Sequence, residues 1–134
     1  MSTQIFINLP VKDLKKSQAF YEAIGFTNNP QFSDDTAACM VLTDVIFVML
    51  LTHEKFGQFT TKTIIDGKKT AGVLNSLSAQ SVEEVNSFVE KAVKAGGKEY
   101  REPQDMGFML LRCFEDLDGH NWEILHMDMS KFPG

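Results

Sequence analysis

Gln4-Ile5-Phe6-Ile7-Asn8-Leu9-Pro10-Val11-Lys12-Asp13-Leu14-Lys15-Lys16-Ser17-Gln18-Ala19-Phe20-Tyr21-Glu22-Ala23-Ile24-Gly25 is the stretch on which the fold turns. From Gln4 to Leu9 apolar residues alternate, with Ile5, Ile7 and Leu9 on one side and Phe6 and Asn8 on the other, the period of a strand that Pro10 should stop. Asp13 then stands as a helix N-cap, and Leu14, Ala19, Phe20, Ala23 and Ile24 supply an apolar stripe that runs to Gly25. Three more strands are expected over Phe26–Phe32, Ala37–Leu42 and Val45–Leu51, the last two parted by Thr43-Asp44.

The same order restarts at Val73–Ser78. Ser81, with Glu84 three residues on, has the form of a capping box, and Val82, Val85, Phe88, Val89, Ala92 and Val93 make the stripe of a second helix ending at Gly96-Gly97. Lys98–Arg101, Phe108–Phe114 and His120–His126 follow as strands, with Asp118-Gly119 a hairpin turn between the last two. An offset of 68 carries Leu9 to Leu77, Asp13 to Ser81, Phe20 to Phe88 and Glu22 to Glu90. Farther on, an offset of 74 carries Cys39 to Cys113, Met49 to Glu123 and Leu51 to Leu125, as six residues inserted in the second copy would require. The expectation is an α+β fold of two βαβββ modules, each a curved sheet with its helix outside, enclosing a cleft. Within one domain over 1–134, module one spans about 1–52, a connecting segment 53–70 and module two 71–128. The connection contains Phe56, Phe59, Ile64 and Ile65, too apolar for a free linker, so it should be folded, as a strap or a lid.

Composition narrows the function classes. At 134 residues, 43% hydrophobic and 23% charged, the chain suits one globular domain. Eighteen acidic against thirteen basic residues give a net charge of −5, which opposes nucleic acid and anionic membranes as partners. The start lacks the pattern of a secretion signal and no run is apolar enough to span a bilayer, so a cytoplasmic location is expected. Cys39 and Cys113 lie apart in apolar runs and are expected as reduced core thiols.

Two segments carry a family resemblance: Asn8-Leu9-Pro10-Val11-Lys12-Asp13-Leu14 leading to Phe20-Tyr21-Glu22-Ala23-Ile24-Gly25-Phe26, and Phe114-Glu115-Asp116-Leu117-Asp118-Gly119-His120-Asn121-Trp122-Glu123. In this order, in a repeated chain, they resemble the vicinal-oxygen-chelate superfamily of glyoxalases, bleomycin-resistance proteins and ring-cleaving dioxygenases. Its metal enzymes place His, Glu or Gln ligands on inward faces of strands one, four, five and eight. The resemblance maps those positions to Phe6, Met49, Leu74 and Glu123. Phe and Leu have no donor atom and a thioether suits hard divalent cations poorly, so no metal, no cofactor and no catalytic residue are assigned. His53, His120 and His126 have no ligand spacing that rescues the site, and His126 should face away from Glu123.

The same registration turns Phe6, Asn8, Phe47, Met49, Leu51, Leu74, Ser76, Ser78, Glu123 and Leu125 inward, an apolar lining with a few polar groups that suits a partly apolar small molecule. The leading expectation is therefore metal-independent binding of such a ligand between the modules, as in sequestration or resistance. An atypical isomerase, lyase or oxygenase is the alternative, and a protein-interaction module with a sealed cleft the second. The spacing supplies no Ser-His-Asp constellation, phosphate loop or carboxylate pair and leaves open whether the chain is an enzyme. A homodimer is expected, because the family often pairs such modules. Arg112 should pair with an acidic neighbour, and Trp122 should pack rather than stack on ligand.

Overall fold

The computed structural model describes residues 2–133. The chain forms two compact units that part between Asp66 and Gly67. The first contains β1 (Ile5–Val11), α1 (Leu14–Ala23), β2 (Thr27–Asn29), β3 (Ala37–Val41), β4 (Ile46–Thr52) and a short α2 (His53–Phe56). The second contains β5 (Leu74–Ser78), α3 (Val82–Lys94), β6 (Gln104–Asp105), β7 (Met109–Glu115) and β8 (Asn121–Met127). Each unit holds one four-stranded sheet, ordered β1-β4-β3-β2 and β5-β8-β7-β6. The first and last strands of each unit pair in parallel, and the remaining pairs are antiparallel. The expected βαβββ repeat is present. Among the described residues no helix is long and apolar enough to cross a membrane.

The repeat extends to single residues. Asp13 caps α1 by accepting the Lys16 N–H at 3.1 Å, and Ser81 caps α3 by accepting the Glu84 N–H at 3.0 Å. Glu84 returns a bond to the N–H of Gln80 at 2.9 Å, one residue earlier than the standard box, and so satisfies a second donor at the helix start. Both helices end in the same Schellman arrangement. Gly25 donates to Glu22 and Phe26 to Tyr21; Gly96 donates to Val93 and Gly97 to Ala92. In each sheet the strand register obeys the two offsets: Asn8 lies beside Met49 and Met49 beside Cys39, as Ser76 lies beside Glu123 and Glu123 beside Cys113.

Alternation divides each sheet into a helix-side face and a far face. In the first unit Leu9, Val11, Ala38, Met40, Val48 and Leu50 are buried on the side of α1, which brings Phe20, Tyr21 and Ile24 onto β3 and β4. In the second, Phe114 meets Phe88 of α3 with ring centroids 5.8 Å apart, and Trp122 lies parallel to Phe114 at 6.5 Å and is 1% exposed. Trp122 thus packs in the helix layer, as expected. Arg112 shares that face. Its guanidinium donates to both Glu99 carboxylate oxygens at 2.8 Å and to the Asn86 side-chain Oδ1 at 2.9 Å, and the Glu99 pairing raises its pKa.

Four sequence expectations are corrected. β1 runs through Pro10 to Val11, because it is an edge strand where a missing N–H breaks no ladder. The strand expected over Phe26–Phe32 is only β2, since Asn29 accepts the Gln31 N–H and Pro30 opens a 3-10 turn over Pro30–Phe32. Lys98–Arg101 is no strand; it contributes one bridge, Lys98 to Glu115, and the short edge strand comes after Pro103 at β6. The helix stripes are narrower than expected: Ala19 and Ala23 are exposed and the buried residues of α1 are Ser17, Phe20 and Tyr21, while Val82 and Val93 are exposed and those of α3 are Val85, Val89 and Ala92.

The β7–β8 turn is tied down from both sides. The Asp116 carboxylate accepts the N–H groups of Asp118 and His120, and a Cβ built on Gly119, whose φ is +85°, would lie 2.5 Å from the backbone carbon of Gly67. At Gly25, also at positive φ, a Cβ would meet nothing within 4 Å. Gly25→Ala is therefore expected to cost about 1 kcal/mol from backbone strain alone, whereas Gly119→Ala should cost about 3 kcal/mol because the Gly67 backbone must also move. Urea denaturation of the two variants checks this, and equal losses would contradict the close approach.

Candidate functional site

The first sheet brings five of the predicted ligand-binding residues onto its far face. Phe6 and Phe47 are register neighbours, Asn8 and Met49 are the next pair, and Leu51 follows two residues on. Phe6 and Phe47 stack with ring centroids 4.6 Å apart and planes 14° from parallel, yet Phe6 remains 49% exposed. An aromatic pair this open on a sheet face is a surface on which a flat apolar group can lie.

Beyond this pair the chain folds back over the same face. Thr52 ends β4 and caps α2 by accepting the Lys55 N–H at 3.2 Å, and Phe59 donates its N–H to the Phe56 carbonyl at 3.0 Å. The turn brings Phe56, Phe59 and Thr60 to Asn8 and Leu51, and the five line an open pocket of about 470 Å³. That volume lies in the ordinary range of small-molecule sites. Sequence reasoning chose Asn8 and Leu51 but missed the three residues opposite them. The available signal was Phe56 and Phe59, three apart in a connection too apolar to float free.

The second sheet places the other five predicted residues, Leu74, Ser76, Ser78, Glu123 and Leu125, on its far face. This face is more polar. The Ser76 hydroxyl donates to Oε1 of Glu123 at 2.5 Å, so the half-buried carboxylate has a donor for one of its oxygens. Cys113 lies beside Glu123 in register and is 2% exposed; burial, and then the Glu123 charge, push its thiol pKa up. Cys39, its counterpart in the first sheet, is raised by burial. Both cysteines are free and buried, and a raised pKa keeps such thiols protonated and unreactive at neutral pH. Tyr100, unassigned from sequence, adjoins this group. Burial raises its phenol pKa while a hydrogen bond with Asn121 acts the other way. His126 lies on the opposite face, its Nδ1 2.9 Å from the Ala79 carbonyl oxygen.

The donor set does not fit the metal of the superfamily's enzymes. The first sheet offers Phe6 and Met49 at the corresponding positions, and the second offers Leu74 and Glu123. Glu123 is the single hard ligand of the four. Among the described residues no group of three or more His, Cys, Asp or Glu side chains could hold an ion.

Comparison with known proteins agrees with this fold. The sequence model of the Glyoxalase/Bleomycin resistance protein/Dioxygenase superfamily matches residues 4–124. A hypothetical protein from S. aureus is 31% identical over 94% of this chain and 95% of its own, with a TM-score of 0.78. A superfamily enzyme from Burkholderia phytofirmans PsJN, 16% identical, superposes with a TM-score of 0.76 over 94% of this chain and 99% of its own. A genomically encoded fosfomycin resistance protein from Listeria monocytogenes, 22% identical, gives 0.67 over 94% and 91%. No curated protein matches the sequence. With the repeated βαβββ modules and a family match spanning residues 4–124, the chain belongs to the Glyoxalase/Bleomycin resistance protein/Dioxygenase superfamily.

Proposed function

We propose that this protein binds a partly apolar small molecule without a metal ion, in a sequestering or resistance-like role. The observation that carries the reading is the cavity of the first unit, where Asn8 and Leu51 meet Phe56, Phe59 and Thr60 beside the open Phe6–Phe47 stack. It combines apolar area with a few polar atoms, as ligand pockets do. The apolar residues at three of the four family ligand positions support the metal-free part. The likeness to a fosfomycin resistance protein is one of fold and is compatible with a resistance role without selecting it. A cytoplasmic location agrees with two free buried thiols.

The atypical-enzyme reading rests on Glu123, a carboxylate with a hydrogen bond from Ser76.

Purified without chelators, the protein is expected to hold no stoichiometric metal, and Mn²⁺, Ni²⁺ or Zn²⁺ should leave its melting temperature unchanged. Tight stoichiometric metal abolished by Glu123→Gln would overturn the metal-free reading. Native mass spectrometry should retain small molecules from the expression host, and Phe47→Ala should weaken their binding about tenfold through the lost aromatic contact.

We also propose a homodimer, because the edge strands β1 and β5 expose Ile5, Phe6 and Leu74, each about half accessible. Sedimentation across the micromolar range should show a concentration-dependent dimer; monomer throughout would contradict it.

A further inference from the structure

The hydrogen-bonding atoms of the first-unit cavity are partly committed, and what is left over describes a ligand. Asn8 turns its side-chain Nδ2 to the Phe6 carbonyl at 3.3 Å. The reverse orientation would set two acceptor oxygens against each other, so the amide is held with Oδ1 and one N–H to offer. Thr60 accepts the Lys62 N–H on its Oγ1 at 3.1 Å and keeps its own O–H for donation. The other three lining residues, Leu51, Phe56 and Phe59, are apolar.

Among the described residues, the side chains that line the cavity carry no charge. Lys55 stands beside the cavity, its ammonium 5.7 Å from the Phe59 ring centroid in a cation–π contact. An ammonium entering here would meet the like charge of Lys55, and neither Asn8 nor Thr60 supplies a charge to offset the hydration that a carboxylate gives up. A neutral group that presents a donor and an acceptor side by side loses little, because Asn8 offers Oδ1 and N–H in one plane and Thr60 adds a further donor.

We infer that this cavity takes a neutral carboxamide or lactam borne on an aromatic or similarly flat apolar group, the amide pairing with Asn8 and Thr60 and the ring lying between Phe56 and Phe59. The inference rests on the small-molecule-binding reading above and adds the chemical class of the ligand. Asn8 acts as the specificity-determining residue. The two phenylalanines supply area for any flat ligand and do not choose among them.

The test uses four probes of one shape: 2-naphthamide, 2-naphthoate, 2-naphthylmethylamine and naphthalene, titrated into ¹⁵N-labelled full-length protein at neutral pH. The amide should bind at least about tenfold tighter than either charged probe and shift the backbone signals of Asn8, Phe56, Phe59 and Thr60. Asn8→Asp, which keeps the shape but replaces the amide with a charge, should weaken the naphthamide about tenfold and leave naphthalene nearly unchanged. Thr60→Val should cost it a smaller factor. Asn8 and Phe59 are exposed, and the wild-type-like spectra of the variants would certify their folding. Charged probes binding as well as the amide, or Asn8→Asp weakening all four alike, would overturn the ligand class while leaving small-molecule binding in place. Shifts confined to the second sheet would overturn the location. A protein that binds none of the four and retains nothing in native mass spectrometry would remove both readings together.

Discussion

Each half of the molecule depends on one constraint: its first and fourth strands lie side by side and run the same way. A tight turn cannot join parallel neighbours, so the chain has to cross the sheet. The helix makes that crossing from one edge strand to the other, and a three-strand meander then returns to the start. The crossing helix decides which face becomes core, and alternation sends every second side chain to the far face. A slip of one residue would push Asn8 and Met49 under α1 and turn Leu9, Val48 and Leu50 outward. One register therefore sets both the hydrophobic core and the candidate site.

The two far faces have the same frame and different chemistry. Phe6, Asn8 and Met49 occupy the positions of Leu74, Ser76 and Glu123. The first face is aromatic and is partly covered by the residues after β4. The second carries a carboxylate and two hydroxyls. The helix-side layers differ as well, with Ala38 at the position of Arg112 and Val48 at that of Trp122. Large rings fill that layer in both halves, with Phe20 and Tyr21 in one and Phe114 and Trp122 in the other, all at most 2% exposed.

Features set by near neighbours were legible in the sequence. Asp13, Ser81, Gly25 and Gly96 act through bonds within a few residues, and each takes its expected role. The offsets also exposed the long-range register, since a duplicated module carries its own pairing with it. All ten predicted site residues accordingly fall on the far faces, as alternation required. The short edge segments were harder to read. Asn29-Pro30 favoured a turn over the strand suggested by the residues around it, and Lys98–Arg101, expected as a strand, made only one bridge. Phe56, Phe59 and Thr60 were hidden for another reason. Their contacts lie with Asn8, some fifty positions earlier, and no local period reports such a meeting.

The added length in the second half is distributed unevenly. From Asp13 to Gly25 and from Ser81 to Gly96 the helices share caps, and the buried Ser17, Tyr21 and Ile24 correspond to Val85, Val89 and Ala92 at the same offset of 68. The three surplus residues thus follow the last shared contact, where Val93 and Lys94 are exposed and the glycine terminator is postponed by nearly one turn. Length variation at this point is graded by helical phase. Three residues return the terminating glycine close to its former azimuth, whereas one or two would swing the departing chain to another side of the helix. Within such a lineage, insertions and deletions here should survive in steps of three or four codons, and the fold would record them as whole turns.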